Sequence, residues 1–160
     1  MVEQELPKAA IAHMQTFVNI AISLTAYLEQ CAAKQFSWQK FNCGHFVLDW
    51  WDLITGEDTH SDVVAPTTVQ EARQWIKNNH GTLMSELARR IGKPVINPLM
   101  AQIGDIVVLE DFPTSNIGVG TALGICNGRQ AAVLGLSGVV FVPMHFAKRA
   151  FSIRGDHAVD

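Results

Sequence analysis

The sequence predicts an α+β domain in which helices come first and a small antiparallel sheet follows. Three observations point there. Apolar residues recur at helical spacing through the first half of the chain. Short β-branched runs separated by turn signals fill the second half. No repeat, linker or low-complexity segment divides the two, so the 160 residues read as one domain, 1–160.

The first predicted element is a long helix over about residues 8–34. Met14, Phe17, Ala21, Leu24, Leu28 and Cys31 recur three and four apart, and Ile11, Val18 and Ile22 widen the stripe. That width suits a core face, and no flanking charges mark a coiled-coil seam. Asn42 is a good N-cap for a second helix from Cys43 to Ile54, with Phe46, Val47, Trp50 and Ile54 on one face and Gly56 as its stop. Residues 57–66 read as a loop. Thr67 or Thr68 with Glu71 resembles a capping box for a third helix whose stripe is Val69, Ala72, Trp75 and Ile76. A fourth helix is expected over 83–91. Strands are expected over 105–109, 120–126, 130–134 and 139–142, with Asn127-Gly128 as the hairpin turn between the second and third. A short helix over 143–149 and a last strand over 150–154 complete the pattern.

Bulk composition narrows the functional classes. The chain is 48% hydrophobic and 17% charged, which fits a folded globule rather than a disordered chain. Its net charge is −3 with no basic run, which excludes a phosphate-tracking nucleic-acid surface. His13, Gln15, Asn19 and Glu29 interrupt the apolar stretch 9–33, so no membrane span is expected. Met1 to Lys8 carries no secretory-signal pattern. With three widely spaced cysteines and no CxxC, free thiols in a reducing compartment are expected, and no metal or cofactor.

Cys43 is the candidate reactive residue. A cysteine in the first turn of a helix faces unpaired backbone N–H groups and the positive end of the helix dipole, a setting that favours thiolate. Gly44 leaves room for an approaching backbone. A small buried hydrophobe is the competing reading, and it is the one expected for Cys31 and Cys126. His45 is two residues on, about 200° around a helix, so its side chain diverges from the thiol. His45 and Asp49, four apart, share a face, either as an Asp-oriented imidazole or as a polar pair fixing the helix. His145 is a second candidate base from the strand region. His80 fits a helix end, and His13 and His157 fit the surface. Asp58, His60 and Asp62 alternate in a loop and read as solvated rather than metal-binding. Gly118-Val119-Gly120 lacks phosphate-loop spacing. Trp50 and Trp51 are adjacent, so one of them is expected at a contact surface.

Phe36-Ser37-Trp38, Asn42-Cys43-Gly44-His45-Phe46-Val47, Ile103-Gly104-Asp105-Ile106-Val107-Val108 and Leu123-Gly124-Ile125 with Asn127-Gly128 resemble an NlpC-type cysteine peptidase of the papain-like fold. The likeness covers residues 24 to 154. Cys43, His45, Phe46, Asp49, Thr55 and Gly56 further resemble a phage-tail-associated subgroup. The resemblance implies Cys43 as nucleophile, with His45 as a candidate partner. It also implies a virion tail-tip or baseplate role beside other tail proteins, after assembly in the host cytoplasm. The family's catalytic His position is Ala122 here, and the next polar position falls near Ala131 and Ala132. A thiol without a base loses proton transfer to the leaving amine. The expected function is therefore a pseudoenzyme-like tail component or tail-assembly factor. The alternative is an active amidase that cleaves peptidoglycan peptides during entry, with Cys43 attacking and His45 or His145 as base.

Overall fold

The computed structural model describes residues 7–37, 41–63, 83–110, 121–135 and 137–154, with 67, 68, 70, 71 and 74 between them. Of the expected third helix, residues 70, 71 and 74 are helical, and its expected cap is present: the Glu71 N–H donates to Thr68 Oγ1 at 3.1 Å, and Thr67 donates its N–H and hydroxyl to the Glu71 carboxylate at 2.7 Å. Val69, Ala72, Trp75, Ile76 and His80 lie outside the described residues, as does His157.

Helix α1 (Lys8–Ala32) runs for 25 residues. From residue 18 onward, its buried side chains are Ile20, Leu24, Tyr27, Leu28 and Cys31, a stripe that wraps one face. Val18 and Ile22, expected to widen the core stripe, are instead 50% and 63% exposed. The buried arc is centred on Leu24 and Leu28, which places both on the far flank. Helix α2 (Cys43–Thr55) begins at Asn42 and ends at Gly56, whose N–H bonds the Asp52 carbonyl. Tyr27 ties α1 to α2 by donating its hydroxyl to the Phe46 carbonyl at 2.6 Å. Helix α3 (Leu83–Ile91) adds Leu87 and Ile91 to the same core.

The sheet holds β1 (Ile106–Glu110), β2 (Thr121–Cys126), β3 (Gln130–Gly135), β4 (Gly138–Pro143) and β5 (Ala147–Phe151). All neighbours are antiparallel, in the order β4-β3-β2-β1-β5. The α+β class and the order of helices before strands are as expected. The last strand starts earlier than expected, because only Met144–Phe146 is helical before Ala147 pairs with Leu109.

Side chains alternate across the sheet, as the period of two requires. Ile106, Val108, Leu123, Ile125, Ala132 and Leu134 face the helices. Val107, Leu109, Ala122, Ala131 and Val133 form a second cluster on the other face, covered in part by Ile96, Ala101, Met144 and Phe146. Trp50 and Trp51 both belong to the helix-side core and both are fully buried. The expectation that one marks a contact surface is thus corrected. The core wraps α2 on two sides: the Trp50 indole donates to the Gly104 carbonyl at 2.8 Å, while the Trp51 indole donates to Glu57 at 2.9 Å.

Gly104-Asp105 joins the sheet to the end of the chain. Gly104 has φ +97°, and an added Cβ would lie 2.5 Å from Ile20 Cγ2. The Asp105 carboxylate accepts from the backbone N–H of Gln102 and of Ile153 and pairs with the Arg154 guanidinium at 3.2 Å. Arg154 also donates to the Ile103 carbonyl at 2.6 Å.

Candidate functional site

The first turn of α2 is built by a reciprocal cap. Asn42 Oδ1 accepts the His45 N–H at 3.0 Å, and His45 Nδ1 accepts the Asn42 N–H at 3.1 Å. A Cβ on Gly44 would meet Asn42 Oδ1 at 3.1 Å, so the glycine gives room to the cap. Replacing Asn42 by alanine is expected to cost about 1 kcal/mol, and His45→Ala a similar amount. Because the two bonds form one box, the double variant should lose less than the sum in urea denaturation. Strict additivity would show that the box is not cooperative.

This cap sets the first helical residue, Cys43, under β2. The residue is 6% exposed. Its sulfur is approached by its own backbone N–H and by those of Gly44 and Leu123, which favour thiolate, but burial dominates and pushes the thiol up to about 11. The helix start does supply N–H donors to the sulfur, as its position implies, and burial works against them. Cys31 and Cys126 are also buried, and all three cysteines are outside any disulfide.

His45 turns its Nδ1 back to the cap. Burial pushes the imidazole down, toward its neutral form. The expected pairing of His45 with Asp49 is replaced by another. Asp49 Oδ1 bonds His60 Nε2 at 2.6 Å, and Asp52 Oδ2 lies 3.0 Å from His60 Nδ1. The His45 and His60 ring centroids are 6.1 Å apart. The loop read as solvated is thus fastened to α2. Thr59 adds its N–H and its hydroxyl to Asp52, while Arg90 of α3 donates to the Thr59 carbonyl and to Asp62, both at 2.9 Å. Asp49 and Asp52 sit one turn apart on a helix with no basic residue between them. That unmatched pair of carboxylates was the signal for an incoming cation. Among the described residues, no group of three His, Cys, Asp or Glu side chains is arranged to hold a metal ion.

Ala122 belongs to the cluster on the sheet face away from α2, whereas its neighbour Leu123 faces Cys43. Met144 and Phe146 pack on that same far cluster, which carries His145 to the side of the sheet opposite the thiol. The side chain of His13 lies outside the described residues. No described helix is long and apolar enough to cross a membrane.

No curated protein matches the sequence significantly. Residues 18–153 match the family described as "Domain of unknown function (DUF6950)", a span that runs from α1 through β5 and takes in Cys43, His45, His60 and the Gly104-Asp105 turn. The chain belongs to that family.

Proposed function

We propose that this domain is a structural component of a phage tail, at the tip or baseplate, that keeps a papain-like, NlpC-type scaffold without its chemistry. Two things support the reading. The sequence resemblance supplies the tail setting, and a cysteine at the start of a helix packed on an antiparallel sheet agrees with the scaffold. One observation carries the loss of chemistry. Cys43 is buried, burial pushes its thiol up to about 11, and His45, on the same helix, turns its Nδ1 to the α2 cap. At pH 7 such a thiol is ionised in about one molecule in ten thousand. Amide cleavage by a cysteine nucleophile needs a thiolate and a base within hydrogen-bond reach.

Peptide-resolved alkylation with iodoacetamide tests this. Cys43 should label slowly at pH 7 and speed up only above pH 10, and His45→Ala or His145→Ala should leave that profile unchanged. Rapid labelling at pH 7 that slows in either variant would overturn the reading and restore the amidase, with Cys43 as nucleophile. The tail assignment has its own check. Mass spectrometry of purified particles should find this chain. Its confinement to the soluble fraction of infected cells would point to an assembly factor instead.

A further inference from the structure

Residues 57–63 cross α2 as a strap with two different fastenings. On the α3 side the fastening is permanent near neutrality: Arg90 holds the Thr59 carbonyl and Asp62, and is itself paired with Glu86. On the α2 side Trp51 holds Glu57 and Thr59 holds Asp52 in either protonation state of His60, and His60 itself adds the fastening that can change. Nε2 faces Asp49 and Nδ1 faces Asp52, and carboxylates only accept. Only the imidazolium, with an N–H on each nitrogen, satisfies both. The neutral ring keeps one N–H and turns a lone pair toward the other carboxylate. Thr59 is placed to take up that change, because its hydroxyl lies 2.9 Å from Asp52 Oδ1 and 3.1 Å from His60 Nδ1. It can donate to the carboxylate in one state and to the ring in the other.

We propose that residues 57–63 form a pH-set strap, locked across α2 when His60 carries its proton and slackened on that side when the proton leaves. The charges around His60 agree with the direction. From α2 it meets Asp49, Asp52 and His45, whose burial disfavours its charged form; from its own loop, Asp58; from α3, Arg90, whose charge is already matched by Asp62 and Glu86. The bond to Asp49 lifts the His60 pKa above the ordinary value, and the nearby carboxylates add to it against the opposing effect of burial. A raised pKa means that the fastening contributes fully below about pH 6.5 and is lost as pH rises through the folded-state value. His45 carries the opposite sign, since its lowered pKa is reinforced by the His60 charge, so it does not compete for the proton.

Amide hydrogen exchange of the whole chain between pH 5.5 and 8.5, corrected for intrinsic rates, reads the strap directly. Protection over 57–63 should fall about 2- to 5-fold more than protection over β2 and β3 across the window, the size expected of a partly exposed charged pair. His60→Gln, which cannot change its charge, should remove the difference. The His60 ring should titrate above 6.5 by NMR and return toward 6.5 in Asp49→Asn. A strap whose protection tracks the sheet at every pH, a pH response that survives His60→Gln, or a His60 midpoint at or below 6.5 would each overturn the proposal.

Discussion

Asp105→Ala is expected to be the most destabilising single change at the sheet's edge, costing about 3–5 kcal/mol. The Asp105 and Arg154 side chains are only 2% and 4% exposed. Burial pushes the carboxyl up and the guanidinium down, so holding both charges inside is costly unless each is surrounded by partners. Asp105 gathers the N–H groups of Gln102 and Ile153 as well as the Arg154 charge. Removing it leaves one buried donor, the Ile153 N–H, and one partly buried donor, the Gln102 N–H, without their acceptor, and Arg154 without its counter-ion. For a chain of this length the melting temperature should fall by about 6–20 °C. Asp105→Asn keeps an acceptor and should lose less. Asp105→Ala combined with Arg154→Met should lose less than Asp105→Ala alone, since it removes the stranded charge. A single Asp105→Ala variant within about 1 kcal/mol of the parent would show that the pair is not a clamp.

Gly104→Ala is the second large effect, expected at about 2–5 kcal/mol. Two causes combine. The residue sits at φ +97°, where a side chain is strained, and its Cβ would lie 2.5 Å from the branched Ile20 Cγ2, which has little room to turn inside α1. Gly92 separates the causes. Its φ is +67°, but nothing lies within 4 Å of its added Cβ. Gly92→Ala should therefore cost about 1–2 kcal/mol from backbone strain alone, and the excess at Gly104 measures the collision with α1. Equal losses at the two glycines would remove the steric account.

The elements whose signals are local were legible before any coordinates. Asn42 as a cap and Gly56 as a stop fall where the sequence places them, and the β2–β3 hairpin turns one residue later than expected, at Gly128-Arg129, because Asn127 still bonds across to Gln130. The stretches that read as helix, about residues 8–34, 43–54 and 83–91, form helices over 8–32, 43–55 and 83–91. What escaped depends on which elements meet. A stripe with Val18 and Ile22 in it is as periodic as one with Ile20 and Tyr27, and only the position of α2 decides between them. Trp51 is buried in the same helix-side core as Trp50, and its indole N–H meets Glu57, a partner that sequence does not reveal. The candidate site was half legible. Cys43 at a helix start was visible, but its depth under β2 was not, and depth sets the thiol's state. His60 reads as part of a solvated loop because Asp58, His60 and Asp62 alternate, and only the fold brings Asp49, Asp52 and Arg90 around that loop.

The strand order also implies a sequence of events in time. β2, β3 and β4 pair with their immediate predecessors and can zip locally, whereas β1 receives its second neighbour only from β5, across the whole meander. Contacts that close so long a loop form late, after the hairpins have reduced the entropy to be lost. The bonds between Asp105 and the chain at Ile153 and Arg154 lie on that final seam. They therefore set how slowly the finished molecule comes apart more than how quickly it assembles.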